Sequence, residues 1–116
     1  MTEDNFQTEC MKNIMAVHDT MDVLSGKWRI SIIASLYYHD KRRFSEILND
    51  VKGISNKMLS KELKELEINM LVKRSVLDTQ PITVQYELTP YGKKLQTVIQ
   101  SLIEWGREHR KEITGK

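Results

Sequence analysis

The segment Gly53–Arg74, GISNKMLSKELKELEINMLVKR, contains the pattern that most restricts how this chain can fold. Its apolar residues Leu59, Leu63, Leu66 and Met70 recur at the spacing of one face of an α-helix, so we predict that this face packs on a core. The remaining positions are mostly polar and include several lysines. The pattern predicts an amphipathic helix whose polar face is either only solvated or binds a partner.

The residues before this helix predict a helix-turn-helix. Ser45 is expected to cap a short helix over residues 46–50, and Gly53 ends that unit. Ser55 then caps the amphipathic helix. We expect that helix to end near Asn69, because asparagine tolerates the left-handed backbone conformation that stops helices. Two helices joined by a tight turn are the pattern of a helix-turn-helix.

The residues after the second helix predict a β-hairpin. Residues 71–77 and 83–88 alternate between apolar and polar side chains, and the turn cluster DTQP separates them. A hairpin in this position is the wing of a winged helix-turn-helix. The sequence therefore predicts a mainly α fold with a small β-hairpin, in which extra helices lie at the N- and C-termini.

Further amphipathic helices are predicted outside the helix-turn-helix. One begins at Cys10, one covers residues 27–39, and the last begins after Thr89 as N-cap with Pro90 at its first position. The apolar side of the last helix is wider than it needs to be for packing against one short hairpin and three helices. A second copy of the chain is the expected partner of this side, since symmetric dimers dominate soluble oligomers.

The composition limits the class of protein. A chain of 116 residues is expected to form one domain over residues 1–116. No apolar run approaches the roughly 20 residues needed to span a membrane. The N-terminus is acidic, unlike a secretory signal, and the single cysteine excludes an internal disulfide, which together favour a cytoplasmic protein of bacterial type. The sequence shows no catalytic motif, cofactor motif or metal-ligand spacing, so we expect no enzyme, no cofactor and no metal.

The charge distribution is more informative than the net charge of +2. Residues 1–25 carry a charge of −4, residues 41–74 carry +4, and residues 75–92 contain no lysine or arginine. A locally basic segment indicates a surface that faces a polyanion, since phosphate binding depends on local charge. The alternative is that these lysines only solvate amphipathic helices.

Several short motifs occur in an order that is specific when they are taken together. These are GKW at residues 26–28, RFSEIL at 43–48, GISNKMLS at 53–60, LKELE at 63–67, VKR at 72–74 and YELTPYG at 86–92. Through them the chain resembles the HxlR-type winged helix-turn-helix transcriptional regulators of the MarR-like superfamily, over roughly residues 10–110. The resemblance implies a homodimer held by terminal helices at about residues 10–24 and 90–112. It also implies binding to promoter DNA and a response to a metabolite or a redox signal.

Two positions depart from the family pattern. Members often have a Cys-Pro pair near the N-terminus, whereas this chain has Cys10 followed by Met11. The wing tip LDTQPI contains no cation, so the wing is expected to contribute little charge to DNA binding.

The N-terminal half of the second helix is where a helix-turn-helix contacts base edges. Asparagine can pair with adenine and lysine can donate to guanine, while serine hydroxyls and the helix N-terminus suit phosphate oxygens. The glutamates at 62, 65 and 67 would repel phosphate, or would form helix-stabilising pairs such as Lys61–Glu65 and Lys64–Glu67, worth about 0.2–0.5 kcal/mol each. The candidate DNA-binding residues are Arg42, Arg43, Ser55, Asn56, Lys57, Ser60, Lys61, Lys64, Lys73 and Arg74.

Cys10 is the candidate redox sensor. In the first turn of a helix, the helix dipole and free N–H groups would favour its thiolate, whereas the neighbouring Glu9 would oppose it. The alternative is a half-buried small apolar side chain. A small-molecule effector is a further possible partner, and the side chains that could line its pocket between subunits are Met11, Met15, Met21, Trp28 and Tyr38.

The sequence thus predicts a dimer that binds double-stranded DNA at a pseudo-palindromic operator, with two recognition helices about 34 Å apart. A winged-helix module that binds another protein, without DNA, is the alternative. The neutral wing and the interspersed glutamates favour that alternative. A steep fall of affinity with rising salt would favour DNA.

Overall fold

The computed structural model describes the backbone of residues 3–115 and the side chains of residues 5–115. Helices dominate this part of the chain, which confirms the predicted mainly α fold. In chain order the elements are α1 (Glu3–Val23), α2 (Trp28–His39), β1 (Lys41–Arg43), α3 (Phe44–Asp50), α4 (Asn56–Ile68), β2 (Val72–Leu77), β3 (Thr83–Leu88), α5 (Pro90–Lys93) and α6 (Gln96–Thr114).

The small sheet has three antiparallel strands in the order β1-β3-β2. Strands β2 and β3 form the predicted hairpin, with Val72 opposite Leu88 and Leu77 opposite Thr83. The third strand, β1, was not predicted, because its three residues are all basic and show no apolar alternation. It pairs with the open edge of β3, whose backbone N–H and C=O groups need partners.

The core lies between α2, α3, α4 and the sheet. Its most deeply buried side chains are Ile32, Ile33, Leu36, Ile47, Leu59, Leu63 and Leu66. The three leucines are on α4 and confirm the face predicted from their spacing. Met70 does not continue that face and is 69% exposed, because α4 ends before it. The helix ends at Ile68 with Asn69 as its C-cap, close to the predicted end near Asn69, so Met70 lies beyond the helix.

The predicted N-cap of α4 is confirmed, whereas the backbone conformation predicted for its C-terminal end is wrong. Ser55 is the N-cap, as predicted, and its Oγ accepts a hydrogen bond from the Met58 N–H at 3.1 Å. Asn69 is not in the left-handed conformation, since its φ is −82°. The residue with positive φ is Met70, at 62°. The side-chain Nδ2 of Asn69 instead donates to the Glu65 carbonyl at 2.9 Å. This bond satisfies a carbonyl group in the last turn of α4.

The start of α3 also differs from the prediction. The helix begins at Phe44, so Arg43 rather than Ser45 occupies the N-cap position. A carboxylate oxygen of Glu46 accepts the backbone N–H of Arg43 at 2.8 Å. This contact satisfies a donor at the N-cap position, so the helix begins without a serine cap.

The predicted last helix is divided into α5 and α6. Thr89 is the N-cap of α5, as predicted, and its Oγ1 accepts from the Gly92 N–H at 2.9 Å while donating to the Met70 carbonyl at 2.6 Å. Gly92 lies directly against the backbone of Leu71, where a Cβ atom would be 2.2 Å from the carbonyl oxygen. The short α5 is thereby fixed against the start of β2.

The terminal helices extend away from the core. The radius of gyration is 17.5 Å, against about 13 Å expected for a compact domain of this length. Helix α1 begins at Glu3, well before the predicted start at Cys10, and residues 5–22 are all exposed. The large exposed apolar side chains on α1 and α6 include Phe6, Met11, Ile14, Met15, Val17, Met21, Leu102, Trp105 and Ile113. Within residues 3–115, no helix combines the length and the apolar character that crossing a membrane requires.

Candidate nucleic-acid interface

The polar face of α4 is fully open to solvent. It lies opposite Leu59, Leu63 and Leu66, which hold the helix on the core. The six predicted residues of this face and its cap are all exposed: Ser55, Asn56, Lys57, Ser60, Lys61 and Lys64. The structure therefore brings the helical part of the predicted set together on one surface.

Glu62 does not belong to this surface. Its side chain is 12% exposed and accepts a hydrogen bond from Arg29 Nε of α2 at 2.5 Å. The carboxylate that the sequence places among the lysines is therefore turned inward and forms an ion pair with Arg29. No residue of the first six in α4 is acidic, so the exposed N-terminal half of this helix carries only positive and neutral side chains.

The lysines of α4 are not paired with its glutamates. Neither Lys61–Glu65 nor Lys64–Glu67 is among the ion pairs within 4.0 Å in the part of the chain that the structure describes. The predicted alternative, in which these charges mainly pair with one another to stabilise the helix, therefore lacks the ion pairs that it requires. Both lysines remain available to an external anion.

Arg74 faces the recognition-type helix α4. It pairs with Tyr86 of β3 in the sheet register, and Tyr86 is buried on the core side. Because side chains of a strand alternate between faces, Arg74 projects to the same side as α4. It lines a surface groove of about 300 Å³ together with Ser60, Lys64, Glu67 and Tyr86. The groove links the helix to the start of the wing.

Lys73 projects from the opposite face of the sheet. Its register partner is Glu87, which is also the partner of Lys41 on β1. A row of two lysines around one glutamate therefore lies on the outer side of the wing, away from Arg74. The structure separates the two predicted cations of β2, although they are adjacent in sequence.

Arg42 is engaged within the protomer. Its Nε and Nη2 donate to both oxygens of the Asp50 carboxylate, at 2.9 and 2.7 Å, and its Nη1 is 3.2 Å from Glu46. These bonds raise the pKa of Arg42, and the bond from Arg42 is the main cause that lowers the pKa of Asp50. The guanidinium joins β1 to α3, which leaves it few donors for DNA.

Arg43 is more open. Its side chain is 58% exposed, and its Nε lies 3.3 Å from Glu46. The backbone N–H of Arg43 is the main cause that lowers the pKa of Glu46. Surface pairs of this kind are weak, so the guanidinium can exchange Glu46 for a phosphate.

The wing tip carries no cation, as the sequence indicates. Thr79 Oγ1 donates to the Pro81 carbonyl at 2.7 Å and lies 3.0 Å from Thr83 Oγ1, which ties the tip together. Asp78, Thr79, Gln80 and Pro81 are all exposed. The tip is thus ordered by its own hydroxyl contacts and offers no charge to a phosphate.

Cys10 is exposed on α1. Because α1 begins at Glu3, Cys10 lies about two turns inside the helix, and the predicted first-turn position is wrong. The dipole argument for a stabilised thiolate therefore does not apply, since that effect is confined to the first turn. Cys10 lines a shallow apolar groove of about 460 Å³, with Phe6, Ile14 and Val17 among its neighbours.

The side chains proposed for an effector pocket do not converge within one protomer. Met11, Met15 and Met21 are exposed along α1, and Tyr38 is 61% exposed at the end of α2. Trp28 instead packs partly on the core and lies beneath Lys27 Nζ at 4.5 Å. In the described residues no group of three His, Cys, Asp or Glu side chains could hold a metal ion.

Arg29 and Glu62 are functional candidates that the sequence analysis missed as a pair. They are 33 residues apart, and no local pattern signals their contact. An arginine in a mainly apolar helix was the hint that the sequence offered.

Comparison with known proteins identifies the family. The HxlR-like helix-turn-helix family matches residues 23–114. The chain is 36% identical over 107 residues to the HTH-type transcriptional regulator YtcD of Bacillus subtilis, covering 92% of this chain and 84% of YtcD. Among solved structures it resembles the redox regulator HypR in its reduced form, with a TM-score of 0.79 and 32% identity over 87% of this chain and 99% of HypR.

A second solved structure gives the same result. The reduced form of the transcriptional regulator YodB from B. subtilis matches with a TM-score of 0.70 and 35% identity, over 85% of this chain and 93% of that one. These relatives are transcriptional regulators, a class that is not enzymatic. The chain belongs to the HxlR-like helix-turn-helix family of transcriptional regulators and has its winged-helix fold.

Proposed function

We propose that this protein is a homodimeric regulator that binds double-stranded DNA by placing α4 in the major groove. The observation that carries the proposal is the exposed first half of α4, where Lys57 and Lys61 stand in a run of six residues that contains no acidic side chain. A helix of this kind fits the major groove, and its N-terminal residues reach base edges.

The residues divide by the contact they suit. Asn56, Lys57 and Lys61 are placed to donate to base edges, while Ser55 and Ser60 suit phosphate oxygens beside the helix N-terminus. Lys64 and Arg74 share a groove and would hold one phosphate backbone, and Arg43 would hold the other side. Lys73 would reach only a backbone segment that passes the outer face of the wing. Arg42 would act indirectly, by holding α3.

The exposed apolar side chains of α1 and α6 support a homodimer. Phe6, Ile14 and Val17 on α1, and Leu102 and Trp105 on α6, would otherwise stay in water. Monomers rarely expose apolar surface on this scale. In a symmetric dimer the two α4 helices would enter successive major grooves, about 34 Å apart, and read a pseudo-palindromic operator.

A redox or small-molecule signal would act on this dimer. Two solved relatives bear on the signal: HypR is described as a redox regulator, and YodB has been solved after diamide treatment. Cys10 is exposed on α1, so it is accessible to an oxidant or to a thiol of the second protomer. A signal that changes the dimer must bind or modify one arrangement of the two α4 helices in preference to another. DNA binding would place the protein in the cytoplasm.

A protein-binding module is the second candidate function. The uncharged wing tip and the exposed Glu67 beside Arg74 favour it, because both weaken attraction to phosphate. Such a module would bind its partner with a weak dependence on salt. Phosphate neutralisation by several cations would instead make affinity fall steeply as salt rises.

Selection from a pool of random duplex DNA tests the proposal. Folded, reduced protein is expected to enrich an inverted repeat whose half-sites are one helical turn apart, at physiological salt. The double variant Lys57→Ala/Lys61→Ala should enrich nothing. The variant Lys93→Ala, which removes an exposed cation on α5, is the matched control and should enrich the same repeat. Failure of the wild-type protein to enrich any sequence would favour the protein-binding function.

A further inference from the structure

Arg29 joins three helices. From α2, its Nε donates to Glu62 Oε2 on α4 at 2.5 Å. Its Nη1 donates to the carbonyl oxygens of Val23 at 2.9 Å and Asp22 at 3.3 Å, the last two residues of α1. One planar guanidinium therefore connects the C-terminal end of α1 to the middle of α4.

The contact is shielded from water. The side chains of Arg29 and Glu62 are 13% and 12% exposed, and Glu62 is one of the few buried polar residues in the described part of the chain. Charged hydrogen bonds with this little exposure are short and directional. Arginine suits the position because its donors leave a rigid plane in several directions, whereas a lysine ammonium is a compact charge on a flexible stem.

Helix α1 has little else to hold it to the winged domain. Residues 5–22 are exposed along its length, and burial begins only at Val23 and Leu24. The carbonyl groups of the last turn of a helix have no partner within the helix. Arg29 supplies donors to two of these groups, so the direction in which α1 leaves the domain depends on the same side chain that holds Glu62.

We propose that Arg29 is a positioning residue that holds the recognition helix α4 at a fixed orientation relative to α1. This inference rests on the proposed function in one respect: α1 builds the dimer and α4 enters the groove. In that dimer the orientation between α1 and α4 sets the distance between the two recognition helices. Arg29 thereby sets which half-site spacing the dimer accepts, without touching DNA.

The distance between α1 and α4 can be measured without DNA. Cys10, the only cysteine of the chain, takes one spin label, and Ile68→Cys, at the exposed end of α4, takes the second. The labelled protein is diluted into an excess of unlabelled Cys10→Ser protein, so that distances within one chain dominate the pulsed electron double resonance signal. The doubly labelled protein with Arg29 unchanged should give one narrow distance distribution.

The Arg29→Met variant should broaden this distribution at least twofold. Arg29→Lys should broaden it as well, because an ammonium cannot span Glu62 and both carbonyl groups. This milder variant replaces Arg29→Met in the experiment if the circular dichroism spectrum of Arg29→Met shows that it does not fold. Lys93→Met removes an exposed cation elsewhere and should leave the width unchanged. Equal widths for wild type and a folded Arg29 variant would overturn the proposal.

Binding to spacing variants of the operator tests the consequence for DNA. Shifting the half-sites of the selected repeat by one base pair should lower the affinity of the wild-type protein roughly tenfold, and that of Arg29→Lys less than about threefold. A purely structural role would lower affinity at every spacing and preserve the tenfold preference, which would refute the inference. If the wild-type protein binds no DNA, the proposed function fails, and the label distances still decide whether Arg29 holds α4.

Discussion

Arg42 and Asp50 form a bidentate pair, in which Arg42 Nε and Nη2 donate to the two carboxylate oxygens at 2.9 and 2.7 Å. Ser35 Oγ of α2 donates to the same carboxylate at 2.8 Å. One acidic side chain thus joins α2, β1 and the last residue of α3. Because α3 and its turn precede α4 directly, the placement of the proposed recognition helix depends on this carboxylate.

The first prediction concerns stability in acid. The folded-state pKa of Asp50 is lowered, chiefly by Arg42, and that of Glu46 is lowered, chiefly by the Arg43 N–H. The stability that these two carboxylates contribute is therefore complete above their ordinary values of 3.8 and 4.5, and it is lost as the pH falls through the lower folded values. Asp50→Asn should cost about 1–2 kcal/mol at neutral pH and much less in acid.

Urea unfolding at neutral pH and near pH 3 measures this difference. The matched control is Glu67→Gln, which removes an exposed carboxylate that has no ion pair among the described residues. The free energy of unfolding of Glu67→Gln should equal that of the wild-type protein at both values of pH. An identical loss of stability in acid for the wild-type protein and Asp50→Asn would contradict the role of the pair.

The second prediction concerns the contact between α5 and β2. In Gly92→Ala the new methyl group would lie 2.2 Å from the Leu71 carbonyl oxygen, a backbone atom that cannot rotate away. The free energy of unfolding should fall by about 1–3 kcal/mol, as for other overpacked sites. Chemical denaturation measures it, with the exposed neighbour substitution Lys93→Ala as the control. An unchanged midpoint for Gly92→Ala would mean that α5 does not lie against Leu71.

The third prediction separates base contacts from phosphate contacts. Lys61→Ala should weaken binding to the selected operator and relax its sequence preference, because lysine donates to guanine. Arg43→Ala should weaken binding to all duplexes alike and reduce the slope of log affinity against log salt by about one. Fluorescence anisotropy with operator and scrambled duplexes at several salt concentrations measures both effects. Identical behaviour of the two variants on every duplex would contradict this division of roles.

The fourth prediction concerns the dimer. Trp105 is 65% exposed on α6 and stacks on His109 with ring centroids 4.8 Å apart, which presents a wide aromatic surface. Trp105→Ala should raise the dimer dissociation constant by on the order of tenfold or more. Tyr38→Ala removes an equally exposed aromatic ring from α2 and should leave association unchanged. Sedimentation equilibrium compares them, and equal constants would place the interface elsewhere.

The fifth prediction concerns the thiol. A thiol oxidant such as diamide should change the DNA affinity of the wild-type protein and leave that of Cys10→Ser unchanged, because Cys10 is the only cysteine. Reduced Cys10→Ser should bind the operator as the wild-type protein does. A response to oxidant that persists in Cys10→Ser would assign the signal to another group, such as a methionine of α1.

Local patterns in the sequence predicted the elements that local physics governs. The period of Leu59, Leu63 and Leu66 identified the buried face of α4, because any helix that carries this spacing can bury only one side. Ser55 and Thr89 were identified as caps because their hydroxyl groups satisfy N–H groups within three residues. The hairpin after α4 predicted the winged arrangement, and the comparisons confirm both that arrangement and the family that the resemblance named.

Local rules failed at three positions, and a contact distant in sequence accounts for the first of them. The basic strand β1 exists because β3 offers an open edge, and Ser45 loses the cap position because Glu46 bonds to Arg43. Met70, predicted in the core, is exposed because α4 ends at Ile68.

The sequence by itself therefore determined which segments are helical, though not all of their limits, together with the hairpin and the exposed cationic half of α4, since each follows from residues within a few turns of one another. The tertiary structure alone decided which charges remain available. Arg42 is bound by Asp50 and Glu62 is withdrawn by Arg29, whereas Arg74 projects toward α4 and Lys73 away from it. These outcomes depend on side chains that only the folded chain brings within hydrogen-bonding distance, where the energy of a charged contact changes steeply with separation and with exposure to water.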